Sequence, residues 1–271
     1  MIMDNMEQFK ILMAMDVHYM PSEYEGNIYH YTSPIGFQSI LFGDRLAVCL
    51  WASRYDCLND ASEGTVAEEI LQEVSMDLLV KKEISKEVYD VFTSVKTSRT
   101  IPLLREAGGE LKATRAECNR YICSFSKNSD SLSMWNYYSK GNKYEGFKIG
   151  FCSKGLKDDV RDFFRGTEAK SYIYPVVYKK DDQKKLIERS LLKLKDFYSE
   201  ENIPRIRAII ATRLLDWGLV FKKECFQHEE EVRVIVDIAK RERQISVNYR
   251  INSGYVIPYI CLLYTSDAAD E

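Results

Sequence analysis

Apolar residues recur at helical spacing in two parts of the chain. In the first part, Val66, Ile70, Val74 and Leu78 follow one another every four residues, behind the sequence Asp60-Ala61-Ser62-Glu63, which resembles a helix-capping box. The second part, residues 181–217, carries two stripes: Ile187, Leu191, Leu194 and Tyr198, then Ile206, Ile210, Leu214 and Trp217. Charged residues occupy the other faces, so we predict amphipathic helices here and a further helix over about 85–95.

Short runs of β-branched and aromatic residues predict strands elsewhere. These runs are residues 28–33, 46–52, 121–126, 147–151, 172–178, 229–237, 245–249 and 255–260. Pro34 opens a helix after the first run, and residues 131–139 form a short helix in the prediction. Because helices are inserted among strands without regular βαβ alternation, the pattern predicts an α+β fold.

Composition narrows the class of protein. The chain has 271 residues, and 38 Lys and Arg against 41 Asp and Glu give a formal charge of -3, which argues against nonspecific nucleic-acid binding without excluding it. No apolar stretch approaches the roughly 18 residues that a membrane span needs, so we expect no membrane partner. With 13 Gly, 6 Pro and no linker-like stretch, we expect one domain.

The cysteines and histidines argue against a metal site. The seven cysteines are scattered without a C-x-x-C pair, and only three histidines accompany them. Reduced thiols are the default for such a pattern, and residues 1–20 lack the features of a secretory signal. We therefore expect a cytoplasmic protein without bound metal.

Both ends of the chain need separate treatment. Residues 1–27 are expected to be an N-terminal extension with an uncertain start, since six methionines lie within the first 20 residues. Residues 261–271 back-translate to an oligonucleotide that looks like a transposase adapter used for sequencing libraries. We therefore expect the domain to cover residues 28–260 and the native sequence to continue beyond Ile260.

The segment His30-Tyr31-Thr32-Ser33 follows a predicted strand. An imidazole and hydroxyl groups there can hydrogen-bond a ribose or a phosphate. Alternatively, His30 is satisfied inside a polar turn, and Thr32 or Ser33 caps the helix that begins at Pro34. A second polar segment, Leu58-Asn59-Asp60-x-x-Glu63, can face a cleft or serve only as the capping box.

Two further segments combine polar and aromatic groups. Ser124-Phe125-Ser126 precedes Trp135 and Tyr138, which can stack on a base or pack on the core as one helix turn. In the predicted strand over 229–237, period-two alternation places Val232, Val234 and Val236 on one face and Glu229, Glu231 and Arg233 on the other. That polar face can bind a sugar hydroxyl and stabilise positive charge, or it can belong to a solvated edge strand.

Taken in order, these motifs resemble one bacterial family. The motifs are Y-H-Y-T-S, L-N-D-x-x-E, C-S-F-S, S-L-x-M-W-x-x-Y, E-G-F-x-I-G-F and K-x-x-x-F-x-x-E-x-E-x-R. Over about Ile28 to Val236 they are similar to the family known as domain of unknown function 2971. That family is grouped with the ADP-ribosyltransferase-like fold, in which two packed, mostly antiparallel sheets hold NAD between them. The resemblance implies such a domain, with helical insertions.

The resemblance also implies roles for residues. His30 matches the histidine that contacts the adenosine ribose, and Ser124 and Ser126 match a Ser-Thr-Ser element. Glu231, or Glu229 in another register, matches the glutamate that accepts a hydrogen bond from the nicotinamide ribose. The predicted catalytic residues are Glu231, Glu229 and Ser126, and the predicted nucleotide-binding residues are His30, Tyr31, Thr32, Ser124, Trp135, Tyr138 and Arg233.

The resemblance favours an NAD-using transferase, with NAD as substrate, that places ADP-ribose on an unidentified acceptor as a toxin or defence effector. A second hypothesis is a noncatalytic nucleotide- or partner-binding module on the same fold. Tyr31 and Phe125 favour this second hypothesis, because they stand where the family pattern has glycine and threonine. No G-x-G-x-x-G or Walker A sequence indicates another type of nucleotide site.

Overall fold

The structure is a computed structural model that describes residues 19–42, 48–57, 63–95, 100–107, 110–139, 145–240, 242–252 and 254–264. Its helices are α1 Pro34–Leu41, α2 Glu63–Val80, α3 Lys86–Thr93, α4 Leu132–Tyr138, α5 Ser153–Phe163, α6 Lys180–Lys195 and α7 Ile203–Val220. Its strands are β1 Asn27–Thr32, β2 Val48–Arg54, β3 Thr100–Ala107, β4 Glu110–Ser126, β5 Phe147–Cys152, β6 Ala169–Pro175, β7 Glu231–Ala239, β8 Asn248–Asn252 and β9 Tyr255–Tyr264. Within these ranges, every helix is too short or too polar to cross a lipid bilayer.

Contacts along the chain divide it into two compact units. The first unit consists of residues 1–22, 60–115 and 177–224, and the second of residues 23–59, 116–176 and 225–271. Neither unit is continuous in sequence, since the chain passes between them several times. Most of the predicted helices belong to the first unit, and most of the predicted strands belong to the second.

The first unit is a helical assembly built on the predicted stripes. Helix α2 packs on α6 and α7, and α3 packs on α2 and α7. All four apolar residues of the α2 stripe are buried, as are Ile187, Leu191 and Leu194 of α6 and all four stripe residues of α7. The periodicity prediction is therefore confirmed for these helices. The capping box proposed at Asp60, together with the segment Leu58-Asn59-Asp60, lies outside the described residues.

The second unit contains a forked antiparallel sheet of eight strands. The long strand β4 pairs with β7 on one edge and with β1 and β2 on the other, while β3 also pairs with β4. From these neighbours the pairing continues to β5, to β9 and β8, and to β6. The resemblance predicts two packed sheets, but the described strands belong to one sheet. They are linked through β4, whose last nine residues pair with β7 on one edge and with β1 and β2 on the other.

Helix α5 fills the concave side of this sheet. It contacts β5, β6 and β9, which lie on three different branches, so the sheet curves around it. Leu156 and Val160 of α5 are fully buried among the apolar residues of β1, β4, β7 and β9. This packing defines a core face of the sheet, which carries Tyr121, Cys123 and Phe125 of β4 and the apolar residues Val232, Val234, Val236 and Ile238 of β7.

Several elements differ from the sequence prediction. Strand β3 and residues 110–120 of β4 lie where the sequence pattern predicts no strand, and α5 lies where it predicts no helix. Strand β6 begins three residues before its predicted start, and β8 begins three residues after. Strand β9 extends through Tyr264, which pairs with Val48, four residues beyond the predicted end of the domain at Ile260. Residues 1–18 and 265–271 lie outside the described chain.

The packing of α5 generates a first prediction. Leu156→Ala should lower the free energy of unfolding by about 2–5 kcal/mol, because it leaves a cavity in the core. Leu132 is 77% exposed on α4, so Leu132→Ala should cost less than about 0.5 kcal/mol. Denaturant-induced unfolding of both variants measures the difference. Equal losses of stability would contradict the assignment of α5 as the centre of this core.

Candidate functional site

Three neighbouring strands bring most of the sequence motifs to one end of the sheet. Strand β4 lies between β1 and β7, and Ser126 is directly opposite Tyr29 on one side and Glu231 on the other. The end of β4, the start of β7 and the middle of β1 therefore meet in one row. These strands carry the three motifs that the resemblance connects with nucleotide binding.

The face of β7 opposite the core carries charged groups, as the alternation predicts. Both carboxylate oxygens of Glu231 accept hydrogen bonds from Arg233, from Nε to Oε1 and from Nη2 to Oε2, each at 2.9 Å. Both side chains are buried, at 6% and 2% exposure. All nine residues of β7 are buried and the strand is paired on both edges, so the alternative of a solvated edge strand is wrong.

Ser124 and Ser126 lie on this same polar face, opposite Arg233 and Glu231 respectively. The Ser126 hydroxyl is fully buried; it donates a hydrogen bond to the Glu229 carbonyl over 2.8 Å and accepts one from the Asn128 N–H. It thereby ties the end of β4 to the 3-10 turn Glu224–Glu229 that precedes β7. Glu229 lies in that turn and not in the strand, so its carbonyl approaches Ser126 while Glu231 begins the ladder.

His30 lies on the opposite face of the sheet. It lies opposite Ile149 of β5, which packs against the core. Its ring contacts the ring of Phe125 edge-on, with 5.6 Å between the ring centroids. Its Nδ1 donates to the Ser124 carbonyl over 3.0 Å, since a carbonyl can only accept. Burial lowers the pKa of His30 below its ordinary value, and the charge of Arg250 adds to this effect. The neutral imidazole and the Glu231 carboxylate therefore project from opposite faces.

Tyr31 anchors the turn that follows β4. Its hydroxyl donates to the Asn128 carbonyl over 2.8 Å and accepts from the Ser131 N–H, and its ring packs edge-on against Trp135. Burial raises the pKa of the Tyr31 phenol. The bulky side chain thus fills the space between the end of β1 and this turn. The indole N–H of Trp135 donates to Asp130 over 2.9 Å.

Thr32 and Tyr138 complete the set of predicted residues. Thr32 is buried at the end of β1, close to α1, where a Cβ at Gly36 would lie 2.1 Å from the Thr32 hydroxyl oxygen. Ser33 caps α1 by accepting from the Gly36 N–H, as one of the two readings predicted. Tyr138 is 39% exposed and does not contribute to the core.

The structure adds residues that the sequence reasoning missed. Tyr137 and His228 are exposed, and the tyrosine hydroxyl lies 2.9 Å from His228 Nε2. Glu230 has a φ of 45°, which is uncommon for a residue with a side chain; its carboxylate accepts from Asn128 Nδ2 and its carbonyl from the Lys127 N–H. The run His228-Glu229-Glu230, at the start of the strand predicted over 229–237, is the available signal.

We call this group the strand-end surface. It consists of the half-buried Asn128 and the exposed Tyr137, Tyr138, His228 and Glu230, and it borders Trp135 and the buried Glu231–Arg233 pair. Aromatic rings, an imidazole and a carboxylate at one exposed place can stack on a base and hydrogen-bond hydroxyl groups. Among the residues that the structure describes, no three His, Cys, Asp or Glu side chains cluster as metal ligands do.

Comparison with known proteins gives one match. Residues 134–234, from α4 to the middle of β7, match the model of a family described as "Protein of unknown function (DUF2971)". This match supports the resemblance over that segment, which includes Trp135, Tyr138, Glu231 and Arg233. No curated protein and no solved structure matches the chain at a significant level.

The Glu231–Arg233 pair generates a stability prediction. Arg233→Met should lower the free energy of unfolding by about 3–5 kcal/mol, because a buried carboxylate loses its bidentate partner. The double variant Glu231→Leu, Arg233→Met should recover much of that loss. As a control, Lys86→Met removes an exposed pair with Asp90 and should cost less than about 0.5 kcal/mol. If the double variant lost as much unfolding free energy as the two single changes together, the two side chains would not be coupled.

The environment of His30 generates a pH prediction. Because the folded-state pKa is lowered, the unfolded chain binds a proton at His30 first as the pH falls below about 6.5. The contribution to stability is therefore complete above that value and is lost on acidification. Urea unfolding measures the free energy of unfolding at pH 7.5 and at pH 5.5. We expect this free energy to fall less between the two pH values for His30→Gln than for the unmodified protein. An equal fall for the two proteins would rule out His30 as the group responsible for this pH dependence.

Proposed function

We propose that this chain is a noncatalytic binding module for a nucleotide of the NAD or ADP-ribose class, bound at the strand-end surface. The observation that carries the proposal is the closed Glu231–Arg233 pair, in which both carboxylate oxygens are already hydrogen-bonded. Each carboxylate oxygen can accept a second hydrogen bond, but a glutamate that assists nicotinamide release must be reached by the ribose hydroxyl, and Glu231 is buried at 6% exposure. His30 gives a second argument, since its imidazole lies on the core face.

The ligand class follows from the chemistry of the strand-end surface together with the family resemblance. Tyr137 and Tyr138 offer exposed rings for a base, and base stacking on an aromatic side chain is worth about 1–3 kcal/mol. The Glu230 carboxylate and the Asn128 amide can hydrogen-bond ribose hydroxyls. Lys148, whose amino group donates to the Ser129 carbonyl, provides a cation nearby.

ADP-ribosyl transfer is a second candidate, and one observation favours it. The strands that carry the His30, Ser126 and Glu231 motifs are adjacent, with Ser126 directly opposite Glu231. In this case NAD binding would have to release Glu231 from Arg233 before the carboxylate could stabilise charge at the anomeric carbon. An ADP-ribosyltransferase-like arrangement of the sheet belongs to this proposal as well.

Calorimetry and an activity measurement distinguish the two candidates. We expect saturable binding of NAD or ADP-ribose without release of nicotinamide. Tyr137→Ala should weaken binding about five- to hundredfold, whereas Tyr249→Ala, a change of an exposed tyrosine on β8, should leave it unchanged.

Two outcomes would contradict the binding-module proposal. Release of nicotinamide that is abolished by Glu231→Gln would select the transferase, with Glu231 in the catalytic role. The absence of binding of either nucleotide would contradict both candidates.

A further inference from the structure

A groove lies between helix α5 and the outer edge of strand β6, on the side of β6 that β7 does not cover. Its volume is about 300 Å³, and it is lined by Lys157, Arg161, Phe164, Ala169, Lys170, Ser171 and Tyr172. We call it the β6 groove. Phe164 is buried at its base, while Arg161 and Lys170 are exposed at its rim. Among the described residues, three cations and no acidic side chain line the groove.

The register between β6 and β7 shows which backbone groups of β6 point into the β6 groove. Val176 donates its N–H to the Glu231 carbonyl, so the even-numbered residues of β6 face β7 in the hydrogen-bonded positions. The odd-numbered residues therefore direct their N–H and C=O groups away from β7. Ser171 is one of these residues, and it lies in the middle of the stretch that lines the groove. Strand β6 thus presents an edge that can accept another strand.

The chain itself shows how such an edge is used. The N–H of Tyr24 donates to the Ile173 carbonyl over 2.9 Å, and the carboxylate of Glu23 forms an ion pair with Lys157. An extended acidic segment thus combines a backbone hydrogen bond to β6 with a salt bridge to α5. Because a short turn connects α5 to β6, the two elements are antiparallel, and Arg161 lies beside the start of β6 as Lys157 lies beside its later part.

We propose that the β6 groove binds an extended acidic peptide of a partner protein, added as a strand to the edge of β6. Backbone groups of the peptide would pair with Ser171. Its carboxylates would contact Arg161 on the side of α5 or Lys170, which lies opposite Asp237 on the other face of the sheet. Lys170 has no ion-pair partner among the described residues, and the Arg161 side chain is 63% exposed, with its pairs to Asp158 and Asp162 on the helix surface. The charge of the groove selects acidic over basic sequences. This site is separate from the strand-end surface and from the function proposed there.

Fluorescence anisotropy with synthetic peptides tests the proposal on the full chain. The probe is a fluorescein-labelled peptide of alternating glutamate and valine. It is compared with a lysine–valine peptide and with an N-methylated peptide, which has the glutamate–valine sequence but carries a methyl group on every backbone nitrogen and so has no backbone N–H donor. We expect saturable binding of the glutamate–valine peptide and at least about tenfold weaker binding of the other two.

Matched variants locate the binding site. The double variant Arg161→Glu, Lys170→Glu should weaken binding at least about tenfold. The control Lys154→Glu, Arg165→Glu makes the same change in charge at exposed positions that do not line the groove, and it should change binding less than about twofold. Circular dichroism verifies that both variants remain folded.

Each alternative outcome overturns a defined part of the proposal. Equal binding of the N-methylated peptide would show that the groove binds carboxylates without strand addition. Equal weakening of peptide binding by both double variants would show that binding depends on the overall charge of the protein and not on the β6 groove. The absence of saturable binding of the glutamate–valine peptide would overturn the proposal entirely.

Discussion

The structure of the second unit depends on the register between β4 and β7. Nine consecutive residue pairs, from Cys118–Ala239 to Ser126–Glu231, join the two strands. This register places the odd residues of β4 and the even residues of β7 on the side of α5, where they form the core. It also fixes every charged group of β7 on the other side. A slip by one residue would bring Glu231 and Arg233 into the apolar core, where charges are costly.

The polar face contains buried charges that are arranged as pairs. Glu231 is paired with Arg233, and Asp237 is paired with Arg120 at 3.0 Å. Such pairs add little net stability compared with apolar residues of the same size, but removing one partner is expensive. The Arg120–Asp237 pair joins β4 to β7, so another alignment would separate its two charges. Glu231 and Arg233 lie on the same strand and would stay together, but a slip by one residue would carry both into the core. This structural role is a sufficient explanation for a glutamate and an arginine two positions apart, and it weakens the inference of catalysis from the motif alone.

Sequence reasoning succeeded where one period dominates. The spacing of Val66, Ile70, Val74 and Leu78 predicts a buried helix face, and the alternation after Glu231 predicts two different strand faces; both are confirmed. Helix α5 has few apolar residues among many charges, so its role in the core depends on Leu156 and Val160 and is hard to recognise. The face to which His30 points also depends on the pairing of β1 with β5 and β4, which local sequence does not encode.

The long sequence separation within the β4–β7 pair has a consequence for synthesis of the chain on the ribosome. The partners β1 and β2 precede β4, so one edge of β4 can pair as soon as β4 is made. The other edge must wait for β7, which follows roughly a hundred residues later, or about 5–20 s at ordinary rates of translation. During that interval the apolar face around Phe125 is incompletely covered, and the nascent chain is most exposed to aggregation or chaperone binding.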